Sequence, residues 1–285
     1  MSCLSMKKVV IGISICLIAF PISIEASTVT EIIIGSEKIS IPAPKGYIDV
    51  THTKPELVDF FKSFVPPGNN LKVLLISTED ERALYPDYER YLIVQTAKSI
   101  ESQKISTSEF SKLRQEVRDQ KKEFFDKAMG FLDKNMPQAA QDFNMKIGET
   151  KYIPFESESE NHIAFSSISK VSFRIENEKT EEIVACTNAF ILAKNHIMFI
   201  YVSSVYRTID DLKWTQNIID RWIAAIIRAN PNAFSLPSSL QAFDWDKIVG
   251  KGIAAAIIVL IFSIFKIHKS EPNKETTNSY FNTRR

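Results

Sequence analysis

HIAFSSISKVSFRI (His162–Ile175), EIVACTNAFIL (Glu182–Leu192) and HIMFIYVSSV (His196–Val205) follow one another with short breaks. Each is rich in β-branched and aromatic residues. In the first, Ile163, Phe165, Ile168, Val171, Phe173 and Ile175 alternate with polar residues, with a slip in the middle that predicts a β-bulge. Ala193-Lys194-Asn195 joins the last two runs as a hairpin, and Lys151–Phe155 reads as a strand before them. Successive strands joined by hairpin-length turns predict an antiparallel sheet.

Working toward the N-terminus, Val29–Ile34 and Lys38–Ile41 are apolar runs joined by Gly35-Ser36, a hairpin signal. Pro42 and Pro44 end the second run, and Gly46-Tyr47-Ile48 reads as the entry to a loop. Thr53 is placed to cap a short helix holding Leu57, Val58, Phe60, Phe61 and Phe64, with Pro55 in its first turn. Pro66-Pro67-Gly68-Asn69-Asn70 is a turn, Leu71–Ile76 a buried strand, Glu79–Asp87 a polar loop and Tyr91–Val94 the next strand. Ser106 and Glu109 form an S-x-x-E capping box. The helix after it places Phe110, Leu113, Val117, Phe124, Ala128 and Leu132 on one face and charged residues on the other, and ends by Pro137. Thr208 and Asp211 form a second capping box, ahead of a helix with Leu212, Ile219, Trp222, Ile223, Ile226 and Ile227 along one side. Pro231 stops it.

The resulting order, β-β-α-β-β-α-β-β-β-β-α, predicts an α+β fold: an antiparallel sheet flanked by helices, in one domain over residues 27–230. Two smaller lobes divided near Phe143–Gly148 are the alternative.

Two apolar segments frame this domain. Residues 1–26 read as a secretory signal peptide, with Lys7 and Lys8 ahead of the apolar run Val9–Phe20, Pro21 breaking it, and cleavage after Ala26. An uncleaved anchor is the alternative. Near the other end, residues 248–267 include an uncharged run from Ile253 to Phe265. About 20 residues at about 1.5 Å rise match a hydrocarbon core of about 30 Å, which predicts a transmembrane helix. Phe243 and Trp245 precede it, and Lys266, His268, Lys269 and Lys274 follow, so the positive-inside rule puts the tail, residues 268–285, in the cytoplasm. Residues 231–247 become a linker. The expected localisation is the bacterial inner membrane, single-pass, with the main domain periplasmic and the membrane as a partner.

Between the two segments, residues 27–247 hold 27 basic and 31 acidic side chains, a net of about −4. Without a basic patch, the attraction that dominates nucleic-acid binding is missing, and no nucleic-acid partner is expected. Cys186 is the single cysteine of this region and reads as a buried, inert thiol. His52, His162 and His196 are far apart, and none has a second ligand at metal-site spacing. Two acidic clusters, Glu79-Asp80-Glu81 and Glu156-x-Glu158-x-Glu160, read as solvated loop or strand ends, with weak calcium binding as the sharper alternative. The aromatic set Phe60, Phe61, Phe64, Trp214 and Trp222 reads as core. No nucleophile-elbow, zinc-protease, P-loop or dinucleotide motif occurs. No catalytic, cofactor-binding or metal-ligating residue is assigned, and no cofactor is expected.

The stretches Ile39–Tyr47 (ISIPAPKGY), Pro66–Leu71 (PPGNNL) and Tyr91–Gln95 (YLIVQ) resemble uncharacterised bacterial envelope proteins, over roughly residues 39–120. That resemblance carries no activity. The element order also resembles the PsbP-like fold, which implies an α/β/α sandwich and maps no binding residue onto this chain. The function expected is a non-enzymatic binding or assembly module that docks another envelope protein. A hydrolase whose site assembles only in the fold, or a ligand sensor, is the alternative.

Overall fold

The computed structural model describes residues 28–84, 88–119, 145–175 and 178–232. A seven-stranded antiparallel sheet organises them, in the order β3-β4-β5-β9-β8-β7-β6. Its strands are β3 (Tyr47–Asp49), β4 (Asn69–Ser77), β5 (Arg90–Ala97), β6 (Lys146–Ser159), β7 (His162–Ile175), β8 (Glu178–Ala193) and β9 (His196–Val205). A separate two-stranded hairpin joins β1 (Val29–Ile34) to β2 (Glu37–Pro42). The described helices are α1 (Pro55–Phe64), α2 (Thr78–Arg82), α3 (Thr107–Asp119) and α4 (Ile209–Ala229).

The chain turns where its sequence gives it cheap positive φ angles. Gly35 at φ 58 opens the two-residue loop of the β1–β2 hairpin. Lys194 and Asn195, at φ 47 and 65, close β8 onto β9 in the double left-handed geometry of a type I′ turn. β7 and β8 pair without a break from His162↔Ile191 to Ile175↔Glu178. The bulge expected within β7 is found instead in its partner: β6 slips register between Ile147 and Thr150 and again between Ile153 and Ser157.

One face of the sheet packs on α1 and α3. Val58, Phe61 and Phe64 from α1 and Phe110, Leu113 and Val117 from α3 close over Leu74, Ile93, Phe190, Phe199 and Tyr201. The other face is covered partly by α4 and partly by the hairpin. Ile218, Ile219, Trp222, Ile223 and Ile226 sit beside Ile32, Ile34, Ile39 and Ile41 over Val73, Leu92, Ala189, Ile200 and Val202. α4 reaches the sheet at helical spacing, and its opposite face exposes Asp210, Lys213, Asp220, Arg221 and Arg228.

This arrangement corrects the expected architecture. The fold is mainly antiparallel β-sheet, and β-structure shares one of the two covering layers, so a plain α/β/α sandwich does not describe it. No helix among the described residues is long and apolar enough to cross a membrane. α4, at 21 residues the longest of them, is polar along one side. Residues 1–26 and 248–267, read as signal peptide and transmembrane helix, lie outside the described residues. The single-pass inner-membrane localisation, the periplasmic placement and the membrane as partner therefore find no support in the described residues.

Side chains from the end of α4 tie the two covering pieces together. Asn230 accepts from Ser40 N (2.8 Å) and donates through Nδ2 to Ser40 O (2.6 Å) and Ile226 O (2.8 Å), with no exposed surface. Trp222 Nε1 donates to Pro42 O at 2.8 Å. Deeper in, one chain of hydroxyls fixes α4 on the sheet. Thr215 donates to Leu212 O (2.8 Å), which leaves its oxygen to accept from Thr187 (2.7 Å), and Thr187 in turn accepts from Ser166 (2.9 Å). Gln216 donates to Ser166 at 3.2 Å.

Replacing Asn230 by Ala strands the backbone N–H and C=O of Ser40 at a buried seam. It is expected to cost about 2–3 kcal/mol, read by urea denaturation. Cys186 is fully buried, donates to Asn188 Oδ1 at 3.0 Å and accepts from Ser203 at 3.4 Å; burial pushes its thiol up to about 12. Peptide mass spectrometry should therefore find Cys186 unmodified by iodoacetamide in the folded protein and alkylated once the chain is unfolded.

Candidate functional site

The three histidines do not converge. His52 is exposed, in the turn after β3. His162 opens β7, half-buried, with both ring nitrogens engaged. Ser157 donates its single proton to Asp220 Oδ1 at 2.5 Å, so His162 Nε2 is the donor across the 3.1 Å contact to Ser157. Nδ1 then accepts from Ser159 at 2.8 Å. Burial holds the His162 ring below its ordinary pKa, against the opposing pull of Asp220 and Glu158. Ser159 Oγ also accepts from Asn161 N at 3.2 Å, which is the bonding of a turn residue. The set locks the β6–β7 turn onto α4. Beside it lies an open cleft of about 480 Å³ lined by Thr107, Glu160, Asn161, Arg228 and Asn232, with Ile227 and Pro231, and by no histidine.

His196 differs. It begins β9, is 2% exposed, and neither ring nitrogen has a hydrogen-bond partner among the described residues.

The acidic clusters serve local structure. Asp80 lies in the first turn of α2, where Ser77 Oγ accepts from Asp80 N (2.9 Å) and donates to Asp80 Oδ2 (2.8 Å). Glu158 accepts from Arg114 at 2.9 Å and from Arg118, joining the end of β6 to α3. No group of three His, Cys, Asp or Glu side chains able to hold a metal ion occurs among the described residues. Phe61, Phe64 and Trp222 are core, and Phe60 and Trp214 are partly buried against it, Trp214 under the Arg90 guanidinium (4.6 Å) and beside Tyr47 (ring centroids 6.2 Å).

What the sequence reading missed is the state of the sheet edges. An unpaired edge strand is a template for another chain, and proteins blunt it with bulges, proline or charge. β6, the outer strand of the large sheet, has two bulges, Pro154 without an N–H, and exposed Lys146, Glu149 and Lys151. At the opposite end the outer strand is β3, three residues long, which pairs with β4 over Leu75–Ser77, and Leu74 bonds on to Val50 N and to Thr51 Oγ1. β2 turns the N–H and C=O of Ser40 and the C=O of Lys38 and Pro42 away from β1; Asn230, Lys194 and Trp222 close them.

Among the described residues, β1 is closed far less. Ile34↔Glu37 flank the two-residue loop, so Ile34, Ile32 and Thr30 bond across to β2, and the N–H and C=O of Val29, Glu31 and Ile33 point outward. Among the described residues, one bond meets this edge, from Lys72 Nζ to Ile33 O at 3.2 Å. The side chains of Val29 and Ile33 are 56% and 63% exposed, and Glu31 is the one charge between them.

No family model matches the chain, and no curated protein matches it. Among solved structures the chain is similar to the Ran-binding protein Mog1p of Saccharomyces cerevisiae, at 11% identity over 71% of this chain and 94% of that one. The TM-score is 0.29, and a likeness of that size carries no argument about fold or function.

Proposed function

We propose that this chain is a non-enzymatic docking module that takes up an extended segment of another protein along the outer edge of β1. One observation carries the reading: outward N–H and C=O groups at Val29, Glu31 and Ile33, flanked by two exposed apolar side chains, on an edge that among the described residues has neither the bulges and proline of β6 nor the closing bonds of β2. Strand addition matches that surface. Main-chain hydrogen bonds, each worth about 0.5–1.5 kcal/mol net, would supply affinity. Val29 and Ile33 would select apolar side chains at alternate positions of the incoming strand, and Glu31 would favour a basic residue between them. A hydrolytic site at His162 is the weaker reading, because Ser159 is engaged in its own turn and the neighbouring cleft brings no histidine to a ligand.

Glu31→Pro tests the mode of binding. Proline removes the outward N–H and leaves the ladder to β2 intact, because Glu31↔Ser40 is not a bonded pair. A photo-cross-linking residue at Ile33 should give one discrete protein adduct in cells, with none from the same residue at Lys151 on β6. Glu31→Pro in the Ile33-labelled chain should lower the adduct at least about tenfold, with denaturation shifted by less than about 1 kcal/mol. An adduct indifferent to Glu31→Pro, or equally strong from Lys151, would refute docking on this edge.

A further inference from the structure

His196 lies beneath the loop of the same hairpin. The Lys194-Asn195 turn delivers it to the first position of β9, and Asn195 pins the residue 101–105 loop beside it: Ile105 N donates to Asn195 O at 2.7 Å, and Asn195 Nδ2 donates to Ile105 O at 3.1 Å. From above, Gly35 closes the space. A Cβ on Gly35 would stand 2.9 Å from Glu101 O and 3.2 Å from His196 Cε1, so the hairpin loop, the Glu101 carbonyl and the imidazole are wedged together. The Glu101 carbonyl is near enough to attract a ring proton but lies outside hydrogen-bonding geometry.

The charged groups around the ring are already committed. From β2, Glu37 accepts from Lys104 at 2.8 Å. From the 101–105 loop, Glu101 is held by Lys72, by Asn70 at 2.6 Å and by Thr96 at 3.0 Å. From the β8–β9 turn, Lys194 donates to Lys38 O at 2.7 Å. The neutral ring fits this site with its nitrogens unbonded. An imidazolium would bring two N–H donors and a charge into a place where the neighbouring carboxylates are already bonded and only the Glu101 carbonyl is near, a far larger cost.

We propose that His196 is a proton-operated latch: when the imidazole takes up a proton, the β1–β2 hairpin lifts off the 101–105 loop, and the β1 edge loses the bed that holds it in line. Lifting the hairpin admits water to the ring, which solvates the imidazolium. The regulatory consequence rests on β1 being the docking edge, while the latch itself is a property of the hairpin alone. Burial favours the neutral ring, Glu37 and Glu101 oppose that preference, and Lys104 adds to it. Attachment is therefore complete above the ordinary histidine value of 6.5 and is lost as pH falls through the lower value of the folded state.

Hydrogen exchange on the full chain, without partner, tests the latch at about pH 7.5 and about pH 5, corrected for the intrinsic pH dependence of exchange. Thr30, Ile32 and Ile34 amides should lose about tenfold in protection at the lower pH, while β4 and β5 hold theirs. In His196→Gln the hairpin should be equally protected at both values. NMR titration of the wild-type His196 ring should share its midpoint with the loss of hairpin protection. Wild-type protection that ignores pH, an equal loss in His196→Gln, or a ring midpoint apart from the hairpin's would overturn the latch. Because exchange needs no partner, an Ile33 adduct insensitive to Glu31→Pro would remove the docking reading and leave the latch standing. Docking that survives with a pH-indifferent hairpin would remove the latch alone.

Discussion

β9 is buried at all ten of its positions, between β5 and β8, and a strand in that setting must be covered from both sides. The remaining architecture answers this demand. Phe199 and Tyr201 face α1 and α3, while Met198, Ile200 and Val202 face α4 and the hairpin. Each apolar side chain sealed in this way contributes about 1.5–3 kcal/mol relative to exposure, which makes the two covering layers the main source of stability. α4 alone does not reach across the face. Ile32, Ile34, Ile39 and Ile41 fill the remainder over β4 and β5, so a two-stranded ribbon, marginal by itself, is stabilised by the sheet it covers.

Apolar contact is non-directional and would let these layers slide. The polar seams fix their positions. The hydroxyl chain from Thr215 through Thr187 to Ser166 admits one donor direction, which sets α4 against β7 and β8. Asn230 bonds both backbone groups of Ser40, a contact spanning 190 residues that aligns α4 with the hairpin. Such fully satisfied buried groups add modest net energy and considerable specificity.

Features set by near neighbours were legible in the sequence. Both arms of the Ser106–Glu109 capping box form, as do both arms of the Thr208–Asp211 box, because each needs three consecutive residue steps and nothing else. The Gly35-Ser36 and Lys194-Asn195 hairpins formed for the same reason. Features that depend on distant partners were not. Tyr47–Asp49 follows Pro44 and Gly46 and reads as loop, yet pairs with Leu75–Ser77 as β3. Thr53 reads as a cap, but the chain enters α1 through Lys54, with no side-chain cap bond. Thr51 is drawn instead to Asp49 and to the backbone of Leu74. Glu79–Arg82 reads as polar loop because the one-turn helix there depends on the Ser77 cap. The open edge was equally hidden. Its direction follows from hairpin register, but its exposure depends on Asn230, Lys194 and Trp222 closing β2 while, among the described residues, Lys72 alone reaches the outward backbone of β1.

That asymmetry has a physical origin in where the hairpin sits. Its β2 side abuts α4, so the groups facing that way are desolvated and must find partners. Its β1 side looks past the end of the sheet toward β4, where it is tied by Thr30 to Asp49 at 2.6 Å and by Lys72 to Ile33 O, both through side chains. Outward groups there can bond to water, so folding alone places no demand on them. Two large apolar side chains on that side gain nothing from the folded chain, since they lie outside both cores. A strand laid along β1 would cover them and complete the ladder without disturbing any buried contact. The hairpin can thus complete the covering of the sheet through its even-numbered β1 residues and offer an edge through its odd-numbered ones, because alternation in a β-strand separates the two roles.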